Sequence, residues 1–126
     1  MGYIMKFYVD ADETLINWAM GLEVNKELVK VLQEGLSSYN FKLVIWSVFG
    51  KKWAEKYSKQ LFPDLDITYG TKKELYQKVP YGSFAIDNRK EQDKEYLLRF
   101  KKVFTSEEFL NIYQHLLCVC NCGCSM

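Results

Sequence analysis

FKLVIWS, residues 41–47, is the stretch whose reading decides the fold. Apart from Lys42 it is apolar until it stops at Ser47. A strand with one face in water would alternate apolar and polar residues. An unbroken apolar run instead suits a strand covered on both faces, which is the usual condition of a parallel sheet.

Two other stretches have the same design. IMKFYVD (4–10) runs apolar and aromatic into Asp10, and SFAID (83–87) ends on Asp87. Between and after them lie segments with helical spacing. NKELVKVLQEGLSS (25–38) places Leu28, Val29, Val31 and Leu32 on one side, with Asn25 as its cap. KKWAEKYSKQL (51–61) places Trp53, Tyr57 and Leu61 together. Residues 66–69 read as a short strand, TKKELYQK (71–78) as a short helix, EQDKEYLLRF (91–100) as a helix and KKVF (101–104) as an edge strand. Thr105 and Glu108 suit a capping box opening a last helix, whose apolar face includes Phe109, Leu110, Ile112, Tyr113, Leu116 and Leu117. Strands alternating with helices predict an α/β fold, a mainly parallel central sheet with helices on both faces.

The totals agree. The chain has 126 residues, enough for one domain with its own core. At 48% hydrophobic and 26% charged it reads as globular rather than disordered. A net charge of +1 gives no general attraction to polyanions, so nucleic acid is expected only as a substrate. No apolar run is long enough for a transmembrane helix, and MGYIMKFYVD lacks the pattern of a signal peptide, so the expected setting is cytoplasmic, without a membrane partner.

In parallel sheets, ligands bind beyond the carboxyl ends of the strands. Asp10, Ser47 and Asp87 therefore converge on one edge, and Asp12 stands one residue past Asp10. Carboxylates held close together need a cation or a proton between them. Hard oxygen ligands without nearby His or Cys suit Mg²⁺. Ser47 and the backbone N–H groups of Val48 and Phe49, just before a helix start, could hold an anion. Lys72 and Lys73 are the candidates to neutralise a further phosphate oxygen. A metal, an anion cradle and a free carboxylate suit phosphoryl transfer.

DADET (10–14), VIWS (44–47), Lys72 or Lys73, and AIDN (85–88) resemble, in order and spacing, the four motifs of the haloacid dehalogenase superfamily. The resemblance spans roughly residues 4–105. It implies a Rossmann-like three-layer sandwich and Mg²⁺-dependent phosphatase chemistry. Asp10 would be the nucleophile and Asp12 the general acid and base. Asp10, the carbonyl of Asp12, and Asp87 or Asn88 would hold the metal, and Ser47 and a lysine the phosphoryl group. The sequence departs from the pattern at Glu13, where glycine is common, and at Asn88, where a second acid is common. Asp93 could supply that acid, but it falls in the expected exposed helix.

Residues 15–24 leave room for a short flap, and 48–71 for a helix and a turn, so no cap domain is expected. An open site admits a nucleotide, a nucleic-acid end or a phosphoprotein. Lys51, Lys52, Lys72, Lys73, Arg89 and Lys90 would favour anions at its rim, and Trp18, Trp46 and Phe49 could stack on a base. A non-catalytic module that binds a phosphorylated ligand or a partner is the alternative. The expected division is a domain over 1–117 and a cysteine-rich tail over 118–126. Cys118, Cys120, Cys122 and Cys124 alternate, which is not the spacing of a structural zinc site. His115 is expected on the polar side of the last helix.

Overall fold

The computed structural model of the chain describes residues 5–18, 21–39 and 41–122, with side chains described through residue 114. The elements run β1 (Met5–Asp10), β2 (Ile16–Asn17), β3 (Glu23–Val24), α1 (Lys26–Ser38), β4 (Phe41–Ser47), α2 (Lys51–Leu61), β5 (Thr68–Thr71), α3 (Lys72–Leu75), β6 (Phe84–Ile86), β7 (Lys102–Phe104) and α4 (Ser106–Cys122). Short 3₁₀ turns occupy Tyr76–Lys78 and Lys94–Tyr96.

Five strands form one sheet in the order β5-β4-β1-β6-β7, and each neighbouring pair is parallel. The chain builds outward from β1 through β4 to β5, then returns across β1 to β6 and β7. The order therefore reverses between β1 and β6, where an open α/β sheet leaves a crevice beyond its carboxyl ends.

The strands divide their side chains by parity, as pleating requires. Phe7, Val9, Leu43, Ile45 and Ile86 face the core built with α1, α2 and α4. Tyr8, Val44, Trp46 and Ala85 face the opposite side, against Val79, Leu97 and Phe100. Aromatic contacts fix both layers. Phe7 meets the ring of Phe109 edge-on at 5.3 Å, and Tyr8 meets Phe100 at 5.3 Å and Trp46 at 5.0 Å.

The layers are unequal. The three long helices share one face, while the other is covered by α3, two 3₁₀ turns and irregular chain. The helix expected over 91–100 is absent, and only Lys94–Tyr96 turns. A helix there would have to bury its apolar stripe, yet Leu98 is 82% exposed while Leu97 and Asp93 are buried. The tether of Asp93 to Lys72, described below, outweighs local periodicity. The expected strand at 66–69 lies at Thr68–Thr71, and the expected helix at 71–78 is split into α3 and a 3₁₀ turn.

The helix starts follow their sequence signals. Leu28 N–H donates to Asn25 Oδ1 at 3.2 Å. Thr105 and Glu108 form a reciprocal capping box, with Glu108 N–H to Thr105 Oγ1 at 3.1 Å and Thr105 N–H to Glu108 Oε1 at 2.8 Å. The backbone of α4 continues through Cys118 and Cys120 to Cys122. Cys124 and the side chain of His115 lie outside what is described.

Candidate active site

Register puts the polar strand ends side by side. Asp10 pairs with Trp46 and Ser47 with Thr71, the residue that caps α3. Lys72 is therefore the first residue of α3, and its side chain reaches back under the sheet edge. Asp87 immediately follows β6, with its N–H bonded to the Phe104 carbonyl at 2.8 Å.

Two polar clusters result. The first surrounds Lys72, which has 0% exposure. Its ammonium lies 3.1 Å from Asp10 Oδ1 and 2.8 Å from both Asp87 Oδ2 and Asp93 Oδ2. The three carboxylates are buried, and each offers an oxygen within 4.8 Å of the others. In two of them the second oxygen is also held. Asp10 Oδ2 accepts from Thr14 Oγ1 at 3.2 Å, and Asp87 Oδ1 accepts from the Arg89 N–H at 2.7 Å.

The second cluster surrounds Asp12. Its Oδ2 accepts from Ser47 Oγ at 2.6 Å, and its Oδ1 accepts from the indole N–H groups of Trp53 at 2.7 Å and Trp18 at 3.3 Å. Ser47 Oγ in turn accepts the N–H of Phe49 at 2.9 Å. That backbone donor, expected to face an anion, is thus spent on orienting Ser47. Val48 is exposed beside it.

Burial and charge act together on the first cluster. Burial pushes the Asp10 carboxyl well above its ordinary value. Lys72 opposes the shift, and the neighbouring acids Asp87 and Asp12 reinforce it. For Lys72, burial favours the neutral form, but Asp10, Asp87 and hydrogen bonds to Asp87 and Asp93 outweigh it and hold the ammonium above the usual lysine value. One buried ammonium faces three buried carboxylates, and the guanidinium of Arg89 approaches only Asp93, at 3.6 Å. With all three carboxyl groups ionised, the surplus is negative. A cluster of hard oxygens with surplus negative charge fits a hard divalent cation.

Asn88 spends its side chain structurally, donating to the Glu13 carbonyl at 2.8 Å and accepting the Ser106 N–H at 2.6 Å. Lys73 is exposed, as are Lys51 and Lys52. Trp46 is fully buried beneath Lys72, whose ammonium lies 5.9 Å from its ring centre, so it offers no face for stacking. Glu13 adopts φ of 64°, a left-handed conformation that glycine takes without strain. Its N–H donates to the Ile16 carbonyl at 2.7 Å, and its carboxylate accepts the Trp18 N–H at 2.9 Å, which hold it there.

Asp93, Trp53 and Thr14 join the site without being central to the sequence reading. In the sequence, Asp93 falls in the expected exposed helix over 91–100. The signal that could have restored it is the break at Asp87–Arg89, after a strand end, where a site loop is as reasonable as a helix start.

Among the described residues, no helix is long and apolar enough to cross a membrane. Comparison of the chain with protein-family models, with curated proteins and with solved structures finds no match.

Proposed function

We propose that this chain is a cap-less phosphomonoester hydrolase of the haloacid dehalogenase type, dependent on Mg²⁺ and working through an aspartyl-phosphate. The observation that carries the reading is the convergence of Asp10, Lys72 and Asp87 at the carboxyl edge of a parallel sheet, with the Asp12–Ser47 pair beside them.

In this reading Asp10 attacks phosphorus with a carboxylate oxygen, and the bond from phosphorus to the leaving oxygen breaks. Asp12 gives its proton to that oxygen. Water then attacks phosphorus, Asp12 takes the proton back, and the bond to Asp10 breaks to release inorganic phosphate. Ser47 and Lys72 would bind phosphoryl oxygens, and the exposed Lys73 and the Val48 N–H are left without a role in that step. Asp10, Asp87 and Asp93, with the Asp12 carbonyl, would hold Mg²⁺, while Asn88 braces the loop. Bound there, the ion would neutralise charge on the phosphoryl group.

A second reading, a non-catalytic module for a phosphorylated ligand or partner, is favoured by one feature. Both carboxylate oxygens of Asp12 already accept protein hydrogen bonds. A phosphomonoester panel with and without Mg²⁺ separates the two. The hydrolase reading expects Mg²⁺-dependent release of phosphate that Asp10→Asn abolishes in a folded protein. No turnover across the panel would leave the binding module.

A further inference from the structure

The mouth of the site beside Asp12 is walled by aromatic rings. Trp53 is half-buried on α2 and donates to Asp12 Oδ1 at 2.7 Å. Trp18, on the β2–β3 flap, stands 5.4 Å from Trp53 and 5.4 Å from Phe49 between ring centres, tilted by 37° and 34° respectively. Exposure rises outward along this row, to 42% at Trp18 and 64% at Phe49.

We propose that Trp18 and Phe49 seat a planar ring on the leaving group, so that the preferred substrates are phosphomonoesters carrying an aromatic ring near the ester oxygen. This rests on the hydrolase reading for the identity of the leaving side. Asp12 is the group assigned to protonate the leaving oxygen, and Trp18 Nε1 lies 3.3 Å from Asp12 Oδ1. A leaving group protonated by Asp12 would have Trp18 and Phe49 as its nearest exposed aromatic neighbours.

Trp18 is also held in place. It is tied at its indole to Asp12 and at its backbone N–H to Glu13 Oε1, at 2.9 Å. A fixed aromatic surface loses little freedom when a ring settles on it, and stacking gains more than an aliphatic chain would from the same area. The exposed Val48 extends the apolar rim. No charged side chain is needed for this preference, so it should survive high salt.

The test uses phenyl phosphate, a nucleoside 5′-monophosphate and glycerol phosphate. Each is followed by turnover with Mg²⁺ and, separately, by quenching of tryptophan fluorescence on binding. At least one of the two aromatic esters is expected to exceed glycerol phosphate by about tenfold in affinity and in kcat/KM, the order expected for one stacked ring. Which one does so tells a phenol from a nucleobase. Phe49→Ala should collapse the aromatic-to-aliphatic ratio and Phe49→Tyr should keep it. Phe49 is the residue to change because its side chain, unlike that of Trp18, donates nothing to Asp12.

Equal handling of all three esters, or a ratio untouched by Phe49→Ala, overturns the inference while leaving the hydrolase reading in place. Tighter binding of an aromatic ester without turnover upholds the aromatic seat and overturns the hydrolase reading. Neither binding nor turnover overturns both.

Discussion

At Lys72 one ammonium faces Asp10, Asp87 and Asp93 out of water, at 3.1, 2.8 and 2.8 Å. Removing one partner of a buried ion pair leaves uncompensated charge, which costs about 3–5 kcal/mol. Lys72→Met should therefore lower the midpoint of thermal unfolding sharply, and added Mg²⁺ should restore part of the loss. An unchanged midpoint would mean that the carboxylates do not carry their charge in the folded chain. Asp10 gives the opposite sign. Its folded pKa is raised above the ordinary 3.8, so the folded chain holds its proton to higher pH than the unfolded chain. Stability from this group is present at low pH and falls as pH rises from near 3.8 through the folded value. At neutral pH Asp10→Asn should thus be at least as stable as wild type while losing turnover, a trade expected of a functional charge. A substantially lower midpoint would contradict it. Asp10, Ser47 and Asp87 were legible because each ends an apolar run. The direction of Asn88, toward Glu13 and Ser106 rather than the carboxylates, was not, because a sequence does not reveal which loop a short amide will brace.

Helices α1 and α4 are joined by Tyr113, whose hydroxyl donates to Glu34 Oε2 at 3.3 Å. Burial first, then the Glu34 charge, pushes its pKa from 10.0 up to about 12. The folded chain keeps this proton where the unfolded chain has lost it. Its stabilisation is complete below about pH 10 and disappears as pH rises toward 12. Unfolding midpoints of wild type and Tyr113→Phe, compared across that range, should converge, and a constant difference would contradict the pairing. Gly35 lies on the buried side of α1, where an added Cβ would overlap the ring of Phe41 on β4. Overpacking of this kind costs about 1–3 kcal/mol, which exceeds the roughly 1 kcal/mol that alanine gains over glycine in a helix. Gly35→Ala should therefore lower the denaturant midpoint, and a raised midpoint would show that Phe41 moves aside freely. At this scale the caps at Asn25 and at Thr105 with Glu108 were readable because they are local. The segment 91–100 was not, because its conformation depends on Asp93 reaching a lysine 21 residues earlier.

For the whole molecule, three apolar runs were enough to indicate a parallel sheet, since only coverage on both sides excuses the lack of alternation. What covered each side was not readable. The second layer is short turns and loops, whose packing by Val79, Leu97 and Phe100 leaves no period in the sequence. That thin layer also carries Asp93, so the loop that closes the core completes the acidic cluster. The sheet reversal between β1 and β6 sets Asp10 and Asp87 at one crevice, and the proposed hydrolysis needs Asp10 as the nucleophile there. The most direct measurement is rapid acid quench of the protein turning over an aryl phosphate with Mg²⁺, followed by peptide mass analysis. A phosphoryl group on the peptide containing Asp10, absent without Mg²⁺ and absent from Asp10→Asn, is the expected result. Phosphate release with no acylphosphate at Asp10, or a phosphoryl group on a different residue, would contradict it.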